Sequence, residues 1–329
     1  METLEETELC IPQLTNTSCR KTKRPHFAAI LIYIIMSSMS LLTATLNLLV
    51  IISISHFRQL HTPTNLILLS LAVSDFLVGF LMFFQVLLID GCWFFGDLIC
   101  ILYEIADYII TSASVGNMVL ISVDRYLAIC EPLHYSTKVT EKKVQVCVCL
   151  CWIGSALYNS LTMKDNLKHP GRYNSCIGEC MAALDYAAGI ADLFFTFLGP
   201  VTVIIVLYMR VFAVAVSQAR AMRSHVVTVT VQQSVKVTAQ KSELKAARNL
   251  GVVIVVFLIC VCPYFCVALT GQETMLNASS AAFVICLFYF NSCLNPLIYA
   301  LFYPWFRKSI KLIVTLKILQ ADSCEANIL

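Results

Sequence analysis

Charge is what this sequence has least of. Asp, Glu, Lys and Arg make up 13% of its 329 residues and hydrophobic residues 59%, against about 25% and roughly 45–50% in soluble domains. A soluble globule has no means of hiding that much apolar surface, and the mean hydropathy of +0.79 agrees. Only 11 glycines and 9 prolines are present, which excludes collagen-like and low-complexity chains. A net charge of +3 excludes a dedicated nucleic-acid binder, because such a protein gathers lysine and arginine into a strong basic patch. There is no HExxH, no GxSxG and no other nucleophile–base pattern, so no enzyme is expected. What the chain does have is long apolar runs.

A bilayer core of ~30 Å takes about 20 apolar residues per helix. Such runs fall at 27–55, 64–89, 98–130, 144–163, 186–218, 246–270 and 279–302. The expected fold is therefore an all-α membrane protein with seven spans. The links between runs leave no room for a catalytic module. Seven Lys/Arg residues (Arg20, Lys21, Lys23, Arg24, Lys164, Lys168, Arg172) fall on the N-terminal side of the membrane and the other sixteen on the opposite side. Positive residues stay cytoplasmic, so the N-terminus is expected outside and the C-terminus inside. The sequons at Asn16 and Asn277 both fall outside in this topology, as glycosylation requires. Residues 1–26 read as an extracellular segment with no cleavable signal pattern, 27–310 as the membrane domain and 311–329 as a cytoplasmic tail. Of the 16 cysteines, Cys10, Cys19, Cys92, Cys100, Cys176 and Cys180 are external. Six cysteines allow 15 pairings, and spacing alone chooses none.

An ionisable side chain within a span costs ~2.5–3.5 kcal/mol on insertion scales. Five carboxylates stand in the runs: Asp75, Glu104, Asp107, Asp124 and Asp192. Asp107 lies 18 residues before Arg125, and Asp192 lies 18 before Arg210. With both arginines at cytoplasmic ends, both aspartates sit about 27 Å above that face. Two acids on different helices thus share one level in the outer membrane half, where a cationic ligand would enter. Glu104, one turn above Asp107, reads either as a residue at the pocket mouth or as one that reaches water, and water is the expectation. Asp185 is expected to be solvated. Asp75 lies mid-run, with Asn47, Ser114, Asn291, Ser292 and Asn295 as polar residues of other runs, which reads either as a small-cation (sodium) site or as a hydrogen-bond network between helices.

These residues also carry a resemblance. Asn47, Leu71 with Asp75, Asp124-Arg125-Tyr126, Trp152, Pro200 with Tyr208, Phe257-x-x-Cys260-x-x-Pro263 and Asn295-Pro296-x-x-Tyr299 stand in order on the seven runs. In this the chain resembles the rhodopsin-like G-protein-coupled receptors. Within them it is similar to the trace amine-associated receptors, through His56–Asn65 ("HFRQLHTPTN") and Asn291–Lys308 ("NSCLNPLIYALFYPWFRK"). The resemblance implies a seven-helix bundle with a short amphipathic eighth helix at Trp305–Lys308. It also implies an ammonium-binding role for Asp107 and disulfides Cys100–Cys180 and Cys19–Cys176, with Cys10 and Cys92 unassigned. The implied partners are an extracellular amine, a stimulatory heterotrimeric G protein, arrestin, a receptor kinase and the lipid bilayer, in an olfactory setting. Asp124, Arg125, Tyr126, Tyr208, Glu243, Asn295, Pro296 and Tyr299 would form the coupling switch. The stretch Val226–Gln240 alternates like a strand but reads as a disordered loop or a helix extension.

The chain departs from the family pattern at four places. Val261 replaces the usual tryptophan beneath the ligand, Cys286 replaces an aromatic at the pocket top, Leu46 replaces a glycine, and the second span lacks a proline. An altered pocket floor is expected. An aspartate at 192 can take a second charge-assisted hydrogen bond, so an alkyl diamine spanning Asp107 and Asp192 is the expected ligand. Tyr264, Phe265 and Tyr289 would wrap its chain through cation–π contacts of ~0.5–2 kcal/mol, with Thr111 below. The alternatives are a receptor for an aromatic or aliphatic monoamine, and an amine transporter. An odd number of spans without an inverted repeat argues against the transporter.

Overall fold

The computed structural model of the chain describes residues 8–21, 25–88, 91–224, 251–267, 278–320 and 323–328, the side chains of 218–224, 278–281 and 301 excepted. The apolar runs become helices: α1 (His26–His56), α2 (Pro63–Leu88), α3 (Asp97–Cys130) and α5 (Glu141–Thr162). The fifth run is composite, with α7 (Tyr186–Asp192), a π-helical turn (Leu193–Leu198) and α8 (Gly199–Ser224). The sixth is α9 (Gly251–Val267) and the seventh α10 (Ala278–Phe302). Two short helices, α4 (Pro132–Lys138) and α6 (Lys164–Lys168), flank α5. Six of the runs are long and apolar enough to cross a membrane, and α9 is a shorter apolar helix whose flanks lie outside the described residues. Together they form a seven-helix bundle. Each of α4 and the last helix, α11 (Pro304–Val314), starts with proline at its first position, where a missing N–H costs nothing.

The bundle buries its polar side chains among apolar ones and shows apolar side chains on its outside. Asn47, Asp75, Ser114, Asn117 and Asn295 are buried, whereas Leu41, Phe80, Leu157 and Phe212 are exposed. That is the distribution lipid demands, since hydrocarbon solvates leucine and phenylalanine and leaves polar groups to pair with one another. Helix α3 packs against α2, α5 and α8 and lies at the centre, and α1 packs against α2 and α10. Small residues permit the closest crossings. A Cβ on Gly79 would come within 2.7 Å of the Ala44 amide nitrogen, and Ser40 Oγ of α1 donates to the Gly79 carbonyl at 2.7 Å.

At one end of the bundle three disulfides, Cys10–Cys92, Cys19–Cys176 and Cys100–Cys180, tie the N-terminal segment and the α6–α7 connection to the helices. Cys10 and Cys92, which the resemblance leaves unassigned, thus pair with each other. Backbone bonds stitch the same segments together: Cys19 N–H to Ile177 O at 3.0 Å and Trp93 N–H to Gly178 O at 2.7 Å. Gly178 has φ +99° and lies against Cys10 Cβ, a conformation and a contact that favour glycine. Asn16 is exposed at this end. At the other end, α11 buries Trp305 and Phe306 and extends to Val314, past the expected boundary at 310. The chain beyond returns to the α1–α2 connection, where His56 Nε2 meets Ser323 Oγ at 3.0 Å and Gln59 Oε1 accepts from the Ile328 amide at 3.3 Å. Ile328 is buried there.

Candidate functional site

A cavity of about 710 Å³ opens among α2, α3, the fifth span, α9 and α10 on the disulfide side of the bundle. Its α3 wall presents Glu104, Asp107, Tyr108, Thr111, Ser112 and Val115, the i, i+3, i+4, i+7 stripe of a single helix face. Asp192, at the end of α7, completes the opposite wall. The two aspartates therefore do open into one space. Tyr289 of α10 donates its hydroxyl to Asp107 Oδ1 at 3.1 Å. Thr111 lines the cavity with its hydroxyl already directed to the Asp107 carbonyl at 2.7 Å.

Asp192 is placed by a feature that α-periodicity does not contain. Pro200 lacks the N–H that would pair with the Thr196 carbonyl, and the turn before it widens into the π segment Leu193–Leu198. Thr196 Oγ1 donates to the Asp192 carbonyl at 2.6 Å within it. An extra residue in one turn rotates everything before it by about 100° and shortens the rise by about 1.5 Å. The regular rise assumed between Asp192 and Arg210 is corrected accordingly.

Aromatic side chains form much of the remaining wall. Tyr264 packs on Phe288 at 4.8 Å, and Phe288 meets Tyr289 edge-on at 5.4 Å. Phe265 stacks on Phe197 at 4.3 Å and 10°. Val261 is 3% exposed, inside the core and off the cavity wall, and Phe265 is the member of the stack that lines the cavity, backed by the buried Phe197. Cys286 is corrected in the same way: its sulfur lies 3.0 Å from Met36 Sδ of α1, and the residue is absent from the cavity wall. Glu104 is corrected too, because it lines the cavity beside Asp107 and is only partly exposed. Asp185 is exposed as expected, and its carboxylate caps α7 by accepting from the Ala188 amide at 2.7 Å. Phe288, Tyr103, Tyr108 and Gln85 also line the cavity and were not picked out from the sequence. Helical spacing carried the signal for Tyr103, four residues before Asp107, and for Tyr108, four after Glu104 and three before Thr111, whereas Phe288 and Gln85 had none.

Below the cavity, Asp75 is fully buried. Ser292 Oγ donates to its Oδ1 and Asn295 Nδ2 to its Oδ2, each at 2.8 Å, and Ser114 also bonds it. Asn47 Nδ2 joins α1 to the Ser292 carbonyl at 3.0 Å. The side-chain oxygens of Asn291 and Asn295 are buried without a hydrogen-bond partner among the described residues. A carboxylate, two hydroxyls and two amide oxygens are the donor set a hard cation takes, so the residues fit sodium.

At the end away from the disulfides, Asp124 and Arg125 form a buried ion pair, with Arg125 Nε 3.0 Å from Asp124 Oδ2. Thr64 of α2 donates to Asp124 Oδ2 at 2.9 Å and accepts from Arg125 Nη2 at 2.8 Å. Tyr135 of α4 donates to Asp124 Oδ1 at 2.8 Å. Tyr126 packs with Ile129, Val211 and Val214. Among the described residues the hydroxyls of Tyr208 and Tyr299 are buried without a hydrogen-bond partner, and Pro296 stands inside α10 after Asn295. Glu243, Asn277 and the stretch 226–240 lie outside the described residues.

Comparison with known proteins agrees with this geometry. Residues 46–299 match the 7 transmembrane receptor (rhodopsin family) model. The chain is 35% identical to trace amine-associated receptor 13c of Danio rerio over 98% of its own length and 97% of that receptor. It is 37% identical to trace amine-associated receptor 8a of Rattus norvegicus (96% and 95% covered) and 34% identical to trace amine-associated receptor 4 of Mus musculus (98% and 96% covered). The chain belongs to the rhodopsin family of seven-transmembrane receptors and, within it, to the trace amine-associated receptors. It is a multi-pass membrane protein and a receptor, not an enzyme.

Proposed function

We propose that this receptor binds an extracellular alkyl diamine between Asp107 and Asp192 and activates a stimulatory G protein that raises cAMP, in olfactory detection. The observation that carries the proposal is the shared cavity: two carboxylates from different helices open into one aromatic-walled space, and no lysine, arginine or histidine lines it among the described residues. Two anions in a low-dielectric site repel unless cations join them. One ammonium docks on Asp107, whose second oxygen is left open while Tyr289 holds the first. The other docks on Asp192, and Tyr264, Phe265 and Phe288 enclose the alkyl chain.

In this proposal the disulfide end faces outward with Asn16 available for glycosylation, and the Asp124–Arg125 end faces the cytoplasm. Release of Arg125 from Asp124 then accompanies coupling, with Tyr208 and Tyr299 as hydroxyls free to receive it. Arrestin and a receptor kinase would act at the same face. Sodium at Asp75, held by Ser114, Asn291, Ser292 and Asn295, supplies a counter-charge for the inactive arrangement.

Replacement Asp192→Ala tests the paired site. A charge-assisted hydrogen bond contributes ~1.5–3 kcal/mol, so alkyl diamine potency in a cell-based cAMP assay falls about 10- to 100-fold, with monoamine potency little changed. Full diamine potency in that variant, at normal surface expression, would falsify the paired site.

A further inference from the structure

We propose that Glu104 is a third cation-binding carboxylate of this cavity, and that linear triamines are its preferred ligand class. The inference rests on the paired Asp107–Asp192 site and extends it.

Glu104 stands three residues before Asp107 on the same face of α3 and lines the same cavity. It is partly buried, and among the described residues its carboxylate has neither a hydrogen bond nor an ion pair. Asp107 has the Tyr289 hydroxyl, and Asp185 is engaged in capping α7 and is exposed. Glu104 is thus the acid on this wall that the protein leaves unanswered. A diammonium ligand would neutralise two of the three inner carboxylates and leave one anion in a water-poor site, where an unpaired charge is costly. A third ammonium removes that cost.

The spacing suits a triamine. Glu104 and Asp107 are offset by ~4.5 Å along the helix axis, and a three-carbon spacer sets its nitrogens about 5 Å apart. The middle nitrogen then sits at Asp107 and the short arm reaches Glu104. The longer arm crosses to Asp192 on the neighbouring fifth span, over an axial separation of ~8–10 Å.

The test uses two probes, 1,5-diaminopentane and N-(3-aminopropyl)butane-1,4-diamine, on the full-length receptor and its Glu104→Gln, Glu104→Asp and Asp192→Asn variants. Potency is read as cAMP normalised to surface receptor, and binding as ligand-induced thermal shift of the purified receptor in nanodiscs, which needs no G protein. Wild type should prefer the triamine. Glu104→Gln should lower triamine potency at least tenfold and diamine potency less than threefold, abolishing the preference, and Glu104→Asp should restore part of it. Equal shifts for both probes, or none, overturn the role of Glu104, as does a wild type without triamine preference. Unchanged diamine potency in Asp192→Asn overturns the paired site instead, while the Glu104 result is still read from the difference between probes. A wild type that neither probe activates or stabilises overturns both.

Discussion

Tyr135→Phe should raise ligand-independent signalling. Tyr135 sits on α4, outside the membrane spans, and donates its hydroxyl to Asp124 Oδ1 at 2.8 Å. Asp124 in turn holds Arg125, and Thr64 bridges the two. The replacement removes one hydroxyl and almost no volume, so packing is preserved while the carboxylate loses one of its donors. A hydrogen bond to a charged acceptor contributes ~1.5–3 kcal/mol; Thr64 remains on Asp124, so the lower figure applies. If the Tyr135 bond exists only in the arrangement with Arg125 paired, its loss shifts the inactive-to-active ratio by about tenfold, each 1.4 kcal/mol being a factor of ten. Basal cAMP per surface receptor should rise several-fold toward the agonist ceiling. The pH dependence has a definite sign. Burial, and then the Asp124 charge, push the Tyr135 hydroxyl up to about 12. A raised pKa keeps the donor protonated throughout the physiological range, so the basal difference between wild type and variant should be flat from pH 6 to 8. Basal activity that is unchanged or lower at equal surface expression would refute the role of this bond.

Two further outcomes follow from packing and from the polar core. Gly79→Ala drives a methyl to 2.7 Å from backbone of α1 that cannot swing aside, whereas a Cβ on Gly154 meets nothing within 4 Å. Overpacking costs typically 1–3 kcal/mol, so the melting temperature in detergent should drop by several degrees for Gly79→Ala and hold or rise for Gly154→Ala; equal behaviour would contradict the close α1–α2 crossing. Asp75→Asn removes the one carboxylate of the lower polar cluster among the described residues, so replacing sodium by a large organic cation should alter agonist potency in wild type and leave the variant unaffected. A variant that keeps the wild-type sodium response would exclude Asp75 as the ion's anchor.

Several features were legible in the residues because they depend on local chemistry. Apolar runs specified the spans within a few residues, since a bilayer permits only closed backbone hydrogen bonding over a fixed thickness. Asp107 and Asp192 were conspicuous because charge in such a run needs a reason, and the ordered motifs from Asn47 to Tyr299 named the family. The cysteines were legible only in part. Two of the three disulfides came through resemblance, and Cys10–Cys92 was out of reach because it depends on where the N-terminal segment crosses the loop before α3.

By itself, then, the sequence determined that this is a seven-span receptor with acids facing a ligand space. The tertiary structure alone decided how those acids are arranged. The widened turn before Pro200 rotates Asp192, and no α-helical count includes that turn. Cys286 belongs to the contact with α1, and Val261 lies in the core below a Phe265–Phe197 stack, because side-chain neighbours depend on helix rotation as well as position. Height alone puts Glu104 in reach of water. The enclosing walls from α2, α3 and α10, with no cation lining the cavity among the described residues, turn the same carboxylate into an unanswered charge inside it. Periodicity tells which residues share a face; only packing tells what that face meets.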